Sequence, residues 1–119
     1  MKKLTIGLCV YDDFDGIYFT IQSLRLHHSE VMSEVEFIII NNNPKSHLGN
    51  EIQKYTRHIT EPLTYVEYSS YSSTALRDKI FTLANTPYVL VMDCHVLLEG
   101  GILKKLIDFY DYEKDNGKL

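Results

Sequence analysis

No stretch of this chain approaches the roughly 18 consecutive apolar residues that a membrane-spanning helix needs. The opening Met1-Lys2-Lys3-Leu4-Thr5-Ile6 resembles the charged end of a signal peptide, but Tyr11, Asp12 and Asp13 interrupt the apolar stretch too soon. It reads instead as a first strand. A basic excess is missing as well. Twelve Lys and Arg stand against sixteen Asp and Glu, a formal charge of −4, which argues against a general nucleic-acid binder. An anionic ligand would then need a local cationic site or a metal ion. Cysteine is scarce: Cys9 and Cys94 fit a reducing compartment better than a disulfide scaffold, so a cytoplasmic location is expected. Thiols on neighbouring strands could lie close, but buried inert thiols are the expectation. With no internal repeat and no interdomain linker, the 119 residues form one domain, 1–119.

What the chain does contain is organised around Tyr88-Val89-Leu90-Val91-Met92-Asp93-Cys94-His95-Val96-Leu97-Leu98. Four apolar residues run without a break into a carboxylate and then an imidazole. Introduced by Thr86-Pro87, the run reads as a strand buried on both faces, the usual state of a central parallel strand. Residues two apart on an extended chain point the same way, so Asp93 and His95 can reach one point while Cys94 faces away. The carboxyl end of such a strand is where open α/β sheets bind ligands. One carboxylate and one imidazole, with other positions open, suit a divalent ion such as Mn²⁺ that also holds a ligand's oxygens.

The other elements fall into an alternating order. Leu4 to Val10 is an apolar strand ending in the acidic turn Tyr11-Asp12-Asp13-Phe14-Asp15-Gly16. At least one of these aspartates is expected to cap the helix that follows. Ile17, Ile21 and Leu24 mark that helix, which ends near His27-His28, two imidazoles expected on the solvated surface. Glu36 to Ile40 is a second buried strand, stopped by Asn41-Asn42-Asn43-Pro44, a turn with unusual hydrogen-bonding capacity. Leu48, Ile52, Tyr55 and Ile59 mark a second helix, and Leu63 to Tyr68 a third strand near an edge. Leu76, Ile80, Leu83 and Ala84 make the face of a third helix, and Leu103, Leu106, Ile107 and Tyr110 that of a fourth. This βαβαβαβα order implies an α/β, Rossmann-like, mostly parallel sheet with helices on both faces.

Four of these places, in order, resemble the nucleotide-binding half of a family-2 glycosyltransferase with the GT-A fold. TIGLCVYDD, from Thr5 to Asp13, is similar to the family's first strand, with Tyr11 in its tyrosine position. EFIIINNN, from Glu36 to Asn43, resembles the second strand, which normally ends in Asp-Asp or Asp-Asn. STALRD, from Ser73 to Asp78, resembles the Ala-Ala-Arg-Asn helix start, with Arg77 as its arginine. VLVMDCHVLL, from Val89 to Leu98, resembles the Asp-x-Asp strand, in the Asp-x-His form of polypeptide GalNAc-transferases. The resemblance implies a nucleotide-sugar donor, most often UDP-linked, bound with Mn²⁺ or Mg²⁺ and passed on by a hexosyltransferase. By position, Val10, Tyr11 and Asp13 would line the nucleoside, and Asn41 would stand where an acid normally meets the base. Arg77 would lie near the base or diphosphate, its planar fork matching phosphate oxygens. Asp93 and His95 would hold the metal, with Asp93 also facing the donor.

Each residue also has a plainer role open to it. Tyr11 could pack at the strand end, Arg77 could pair with a nearby acid on the surface, and Asn41 to Asn43 could be only a turn. The family usually continues into an acceptor-binding half with a general base, whereas only Glu99, Asp108, Asp111, Glu113 and Asp115 follow the metal strand here. No base is assigned among them, and the acceptor, whether glycan, lipid or protein, is not identified. A shortened sheet would expose apolar surface that a homo-oligomer could cover. The expected activity is transfer of the sugar with inversion. The alternatives are a nucleotide- and metal-binding module without turnover, or a receiver-type signalling domain. The receiver fold needs further βα units and a late lysine, which do not follow Asp93.

Overall fold

A computed structural model describes residues 2–69, 73–94 and 96–117. Four parallel strands, β1 (Leu4–Val10), β2 (Val35–Asn41), β3 (Leu63–Glu67) and β4 (Tyr88–Asp93), form one sheet in the order β3-β2-β1-β4. Helices α1 (Phe14–His27), α2 (His47–Thr56) and α3 (Ser73–Leu83) connect them, and α4 (Ile102–Asp115) follows the last strand. A short 3₁₀ segment, Ser29–Glu34, which the apolar spacing does not announce, bridges α1 and β2.

The two faces of the sheet are covered unequally. One receives Ile17, Ile21 and Leu24 of α1, Ile52 of α2, and Leu103 and Ile107 of α4, all packed on Ile6, Leu8, Phe37 and Ile39. The other receives Leu76 and Ile80 of α3, packed on Ile38 and Ile40. The alternation of side chains along each strand makes this division. Helix α3 comes close because Gly7 has no side chain: a Cβ there would lie 2.4 Å from Cγ2 of Ile80.

Strand β2 is apolar on both faces and buried, as its sequence suggests. Strand β3 lies at an edge, with Thr64 and Glu67 exposed. Strand β4 corrects an expectation. It is the other edge of the described sheet, not a central strand; Tyr88 to Val91 are half-buried and Met92 alone is buried. An unbroken apolar run specifies a strand but not its neighbours.

Candidate functional site

The strand order creates a crevice. From β1 the chain steps outward to β2 and β3, then crosses back to β4 on the far side of β1. Strand order therefore reverses between β1 and β4, and the carboxyl ends at such a point leave room for a ligand. Asp93 ends β4 there, directly opposite Cys9 of β1. Arg77, from the second turn of α3, brings Nη2 to 3.6 Å from Asp93 Oδ1, with the two side chains 58% and 78% exposed. An ion pair so open adds little stability. Its chemical meaning is a cation and a carboxylate side by side at the mouth of the crevice.

Both thiols lie beneath that mouth and are free. Cys94 packs into the core on one face of the sheet, Cys9 against the α3 side on the other. Burial, with Asp13, Asp93 and Cys9 adding to it, pushes the Cys94 thiol up to about 12. Burial also raises Cys9, and Arg77 partly opposes that rise. Held protonated at neutral pH, such thiols are weak nucleophiles.

On the β1 side, Asp12 adopts a left-handed backbone, φ 54°. Asn and Asp visit that region more readily than other side chains. Its carboxylate accepts from Asn43 Nδ2 at 3.1 and 3.2 Å and from the Ser46 hydroxyl. Ser46 in turn caps α2, accepting from Gly49 N at 2.8 Å. Asp13 caps α1 by accepting from Gly16 N at 3.0 Å. Just before these two fixed acids in the chain, Tyr11 stands 49% exposed.

Val10, expected to line the nucleoside, and Asn41, expected where an acid meets the base, both have buried side chains. The Val10 side chain is buried in the core, and its carbonyl accepts from Asn42 N at 2.8 Å. Asn41 is fully buried: its Nδ2 donates to Gly49 O and to Tyr65 Oη, each at 2.9 Å, and its Oδ1 accepts from Asn43 N at 3.3 Å. A short amide at the end of a central strand is held by the loop above it. Asn42 donates to Tyr68 O at 2.5 Å, so all three amides of the turn bind neighbouring segments.

His28 departs from its expected surface position. It is buried at the end of α1, and its Nε2 lies 3.1 Å from Leu98 O, in the segment after β4. A carbonyl only accepts, so the ring donates from Nε2. The contact ties the chain beyond Asp93 to α1. His95 lies outside the described residues. Among the described residues no three His, Cys, Asp or Glu side chains gather as a cation site. Asp93 itself suits a hard cation that keeps other positions open, because its oxygens are exposed and its ion pair is long.

The family model for glycosyl transferase family 2 matches residues 5–117. The chain belongs to that family. No curated protein matches it in sequence. Among solved structures this family 2 chain is similar to S. aureus TarS 1–349 in complex with UDP-GlcNAc, with a TM-score of 0.73 and 18% identity. The match covers 94% of this chain and 32% of that one, so the family 2 chain spans about a third of its structural neighbour. At this identity the likeness establishes the fold: an α/β, Rossmann-like sheet of the GT-A kind.

Three residues that hold the segments around the candidate site have weak signals in sequence. Asp12 looks like one more helix-capping acid, and only its bonds to Asn43 and Ser46 show it to be a clamp. Ser46, three residues before Gly49, has the form of a helix cap. His28 carries no signal, since its burial depends on a segment seventy residues away.

Proposed function

We propose that residues 1–119 form the donor-binding domain of a metal-dependent glycosyltransferase, taking a nucleoside-diphosphate sugar and passing the sugar on with inversion. The observation that carries this reading is the exposed carboxylate of Asp93 beside Arg77 at the crevice between β1 and β4. Family membership and the UDP-GlcNAc held by TarS support a UDP-linked hexose as donor. The two free thiols favour a reducing, cytoplasmic setting.

In this reading Asp93 and His95 hold Mn²⁺ or Mg²⁺. Bound there, the ion supplies neutralisation for charge on the leaving diphosphate. Arg77 supplies a second, permanent positive charge with a planar fork that matches phosphate oxygens. Tyr11 offers the nucleoside an exposed aromatic face, and Asp13 fixes the turn beside it. Val10 and Asn41 act from below by holding that turn and the β2–α2 loop. The acceptor's base is not assigned.

Thermal shift with UDP, with and without Mn²⁺, tests the reading, because a ligand of the folded state raises the melting temperature by mass action. UDP with Mn²⁺ should raise it by several degrees, and Asp93→Ala should remove the metal-dependent part while leaving the ligand-free melting temperature near its starting value. No shift in the wild-type chain with any nucleotide diphosphate rejects donor binding. A sugar-release assay with UDP-GlcNAc then separates turnover from binding alone.

A further inference from the structure

Arg77 and Asp93 stand at the mouth of the crevice with their charges set against each other. Arg77 Nη2 lies 3.6 Å from Asp93 Oδ1, and the side chains are 58% and 78% exposed. The backbone behind each is held. Leu76 and Ile80, on either side of Arg77 in α3, pack against the sheet, and Asp93 pairs in register with Cys9 of β1. Both charges reach the Cys9 thiol below them, Asp93 raising it and Arg77 lowering it. The pair thus joins two fixed elements through one long side chain in contact with water, and opening it costs little.

The donor-site reading above, on which this inference rests, gives the two groups different ligands: a divalent cation for Asp93 and a diphosphate for Arg77. A cation on the Asp93 carboxylate meets the charge of the guanidinium already beside it, and a doubly charged ion feels twice the repulsion that a single charge would. Swinging Arg77 away removes the repulsion but leaves the guanidinium without its carboxylate. A diphosphate resolves both, because its oxygens accept from the guanidinium fork while Asp93 is released.

We infer that Arg77 is a counter-ion guarding Asp93, so that the site takes a divalent cation weakly by itself and more tightly once a nucleoside diphosphate draws the guanidinium onto its phosphates. The two ligands are then coupled beyond their direct contact, and each improves the other's affinity by the same factor. Part of that factor belongs to Arg77. Exposed ion pairs shift an equilibrium by up to about 5-fold, which sets the size of that part.

The electron paramagnetic resonance signal of free Mn²⁺ gives the ion's dissociation constant for the full chain with and without UDP. In wild type, UDP should tighten Mn²⁺ binding. Arg77→Met removes the charge and keeps the length. It should tighten Mn²⁺ alone about 3- to 5-fold, weaken UDP alone, and shrink the gain from UDP by the same factor. Arg77→Gln should behave alike, whereas Arg77→Lys keeps the charge and should bind Mn²⁺ alone within about 2-fold of wild type. Asp93→Asn added to Arg77→Met should abolish the tightened binding. Melting curves show that each variant is folded, as expected for so exposed a side chain. Uncharged variants that bind Mn²⁺ alone as wild type does overturn the inference. So does an unchanged gain from UDP, an Arg77→Lys chain as tight as the methionine one, or tightened binding that survives Asp93→Asn. A wild-type chain that binds neither UDP nor Mn²⁺ removes the donor site itself; one that binds both, with Mn²⁺ alone indifferent to Arg77, removes only the counter-ion.

Discussion

Asp12 combines an unfavourable backbone with favourable side-chain bonds, and both parts can be tested separately. Its φ of 54° is a region that side chains with a Cβ enter at a cost. Its carboxylate repays that by holding Asn43 and Ser46, which fixes the β2–α2 loop against the end of β1. Asp12→Asn should cost little, because asparagine tolerates the same backbone and keeps an acceptor. Asp12→Gly relieves the backbone but frees the loop. Asp12→Ala loses both and should destabilise by about 2 kcal/mol in urea unfolding. An alanine variant as stable as the asparagine one would show that the clamp is decorative. Its geometry also bears on donor binding, since Tyr11 immediately precedes Asp12 in the chain.

Among the described elements, α3 matters most to the site, because it brings the Arg77 cation to Asp93. Its position against β1 depends on the missing side chain at Gly7, where an added Cβ would come within 2.4 Å of Ile80 Cγ2 and 2.8 Å of Cδ1. Ile80 is fully buried and its Cγ2 sits at the branch, so it has little freedom to move. Gly7→Ala should therefore push α3 outward, cost about 1–3 kcal/mol as overpacking does, and lower UDP affinity through Arg77. Ile80→Ala in the same chain should recover part of the affinity by making room. If Gly7→Ala melts like wild type and binds UDP equally well, the close approach of α3 and β1 is not what sets Arg77.

Across the whole molecule, the α1 face is held to the segment entering β3 by a forked ion pair. Arg25 Nε donates to Glu61 at 3.0 and 3.2 Å and Nη2 at 2.6 Å. The Arg25 guanidinium holds the Glu61 carboxyl below its ordinary value of 4.5. A carboxylate depressed by folding contributes its full stabilisation above that ordinary value and loses it as pH falls through the lowered one. Glu61→Gln should thus cost about 1 kcal/mol at pH 7, and the gap from wild type should narrow below pH 4.5. Equal differences at pH 7 and pH 3 in urea titrations would remove the ion pair as the cause. The amino-acid sequence by itself determined the alternating elements, the parallel sheet and the family, because apolar spacing and strand-end polar residues are local properties of the chain. It also marked Tyr11 and Asp93, which stand at the ends of apolar runs, and Arg77 in the opening turns of α3. Only the tertiary structure decided that β4 is an edge of the described sheet, that the Val10 and Asn41 side chains are buried, that His28 is buried with its ring on Leu98 O, and that Asp12 is a clamp. Each of these depends on which distant segment covers a residue, and burial by a distant segment leaves no periodic trace in the chain that is covered.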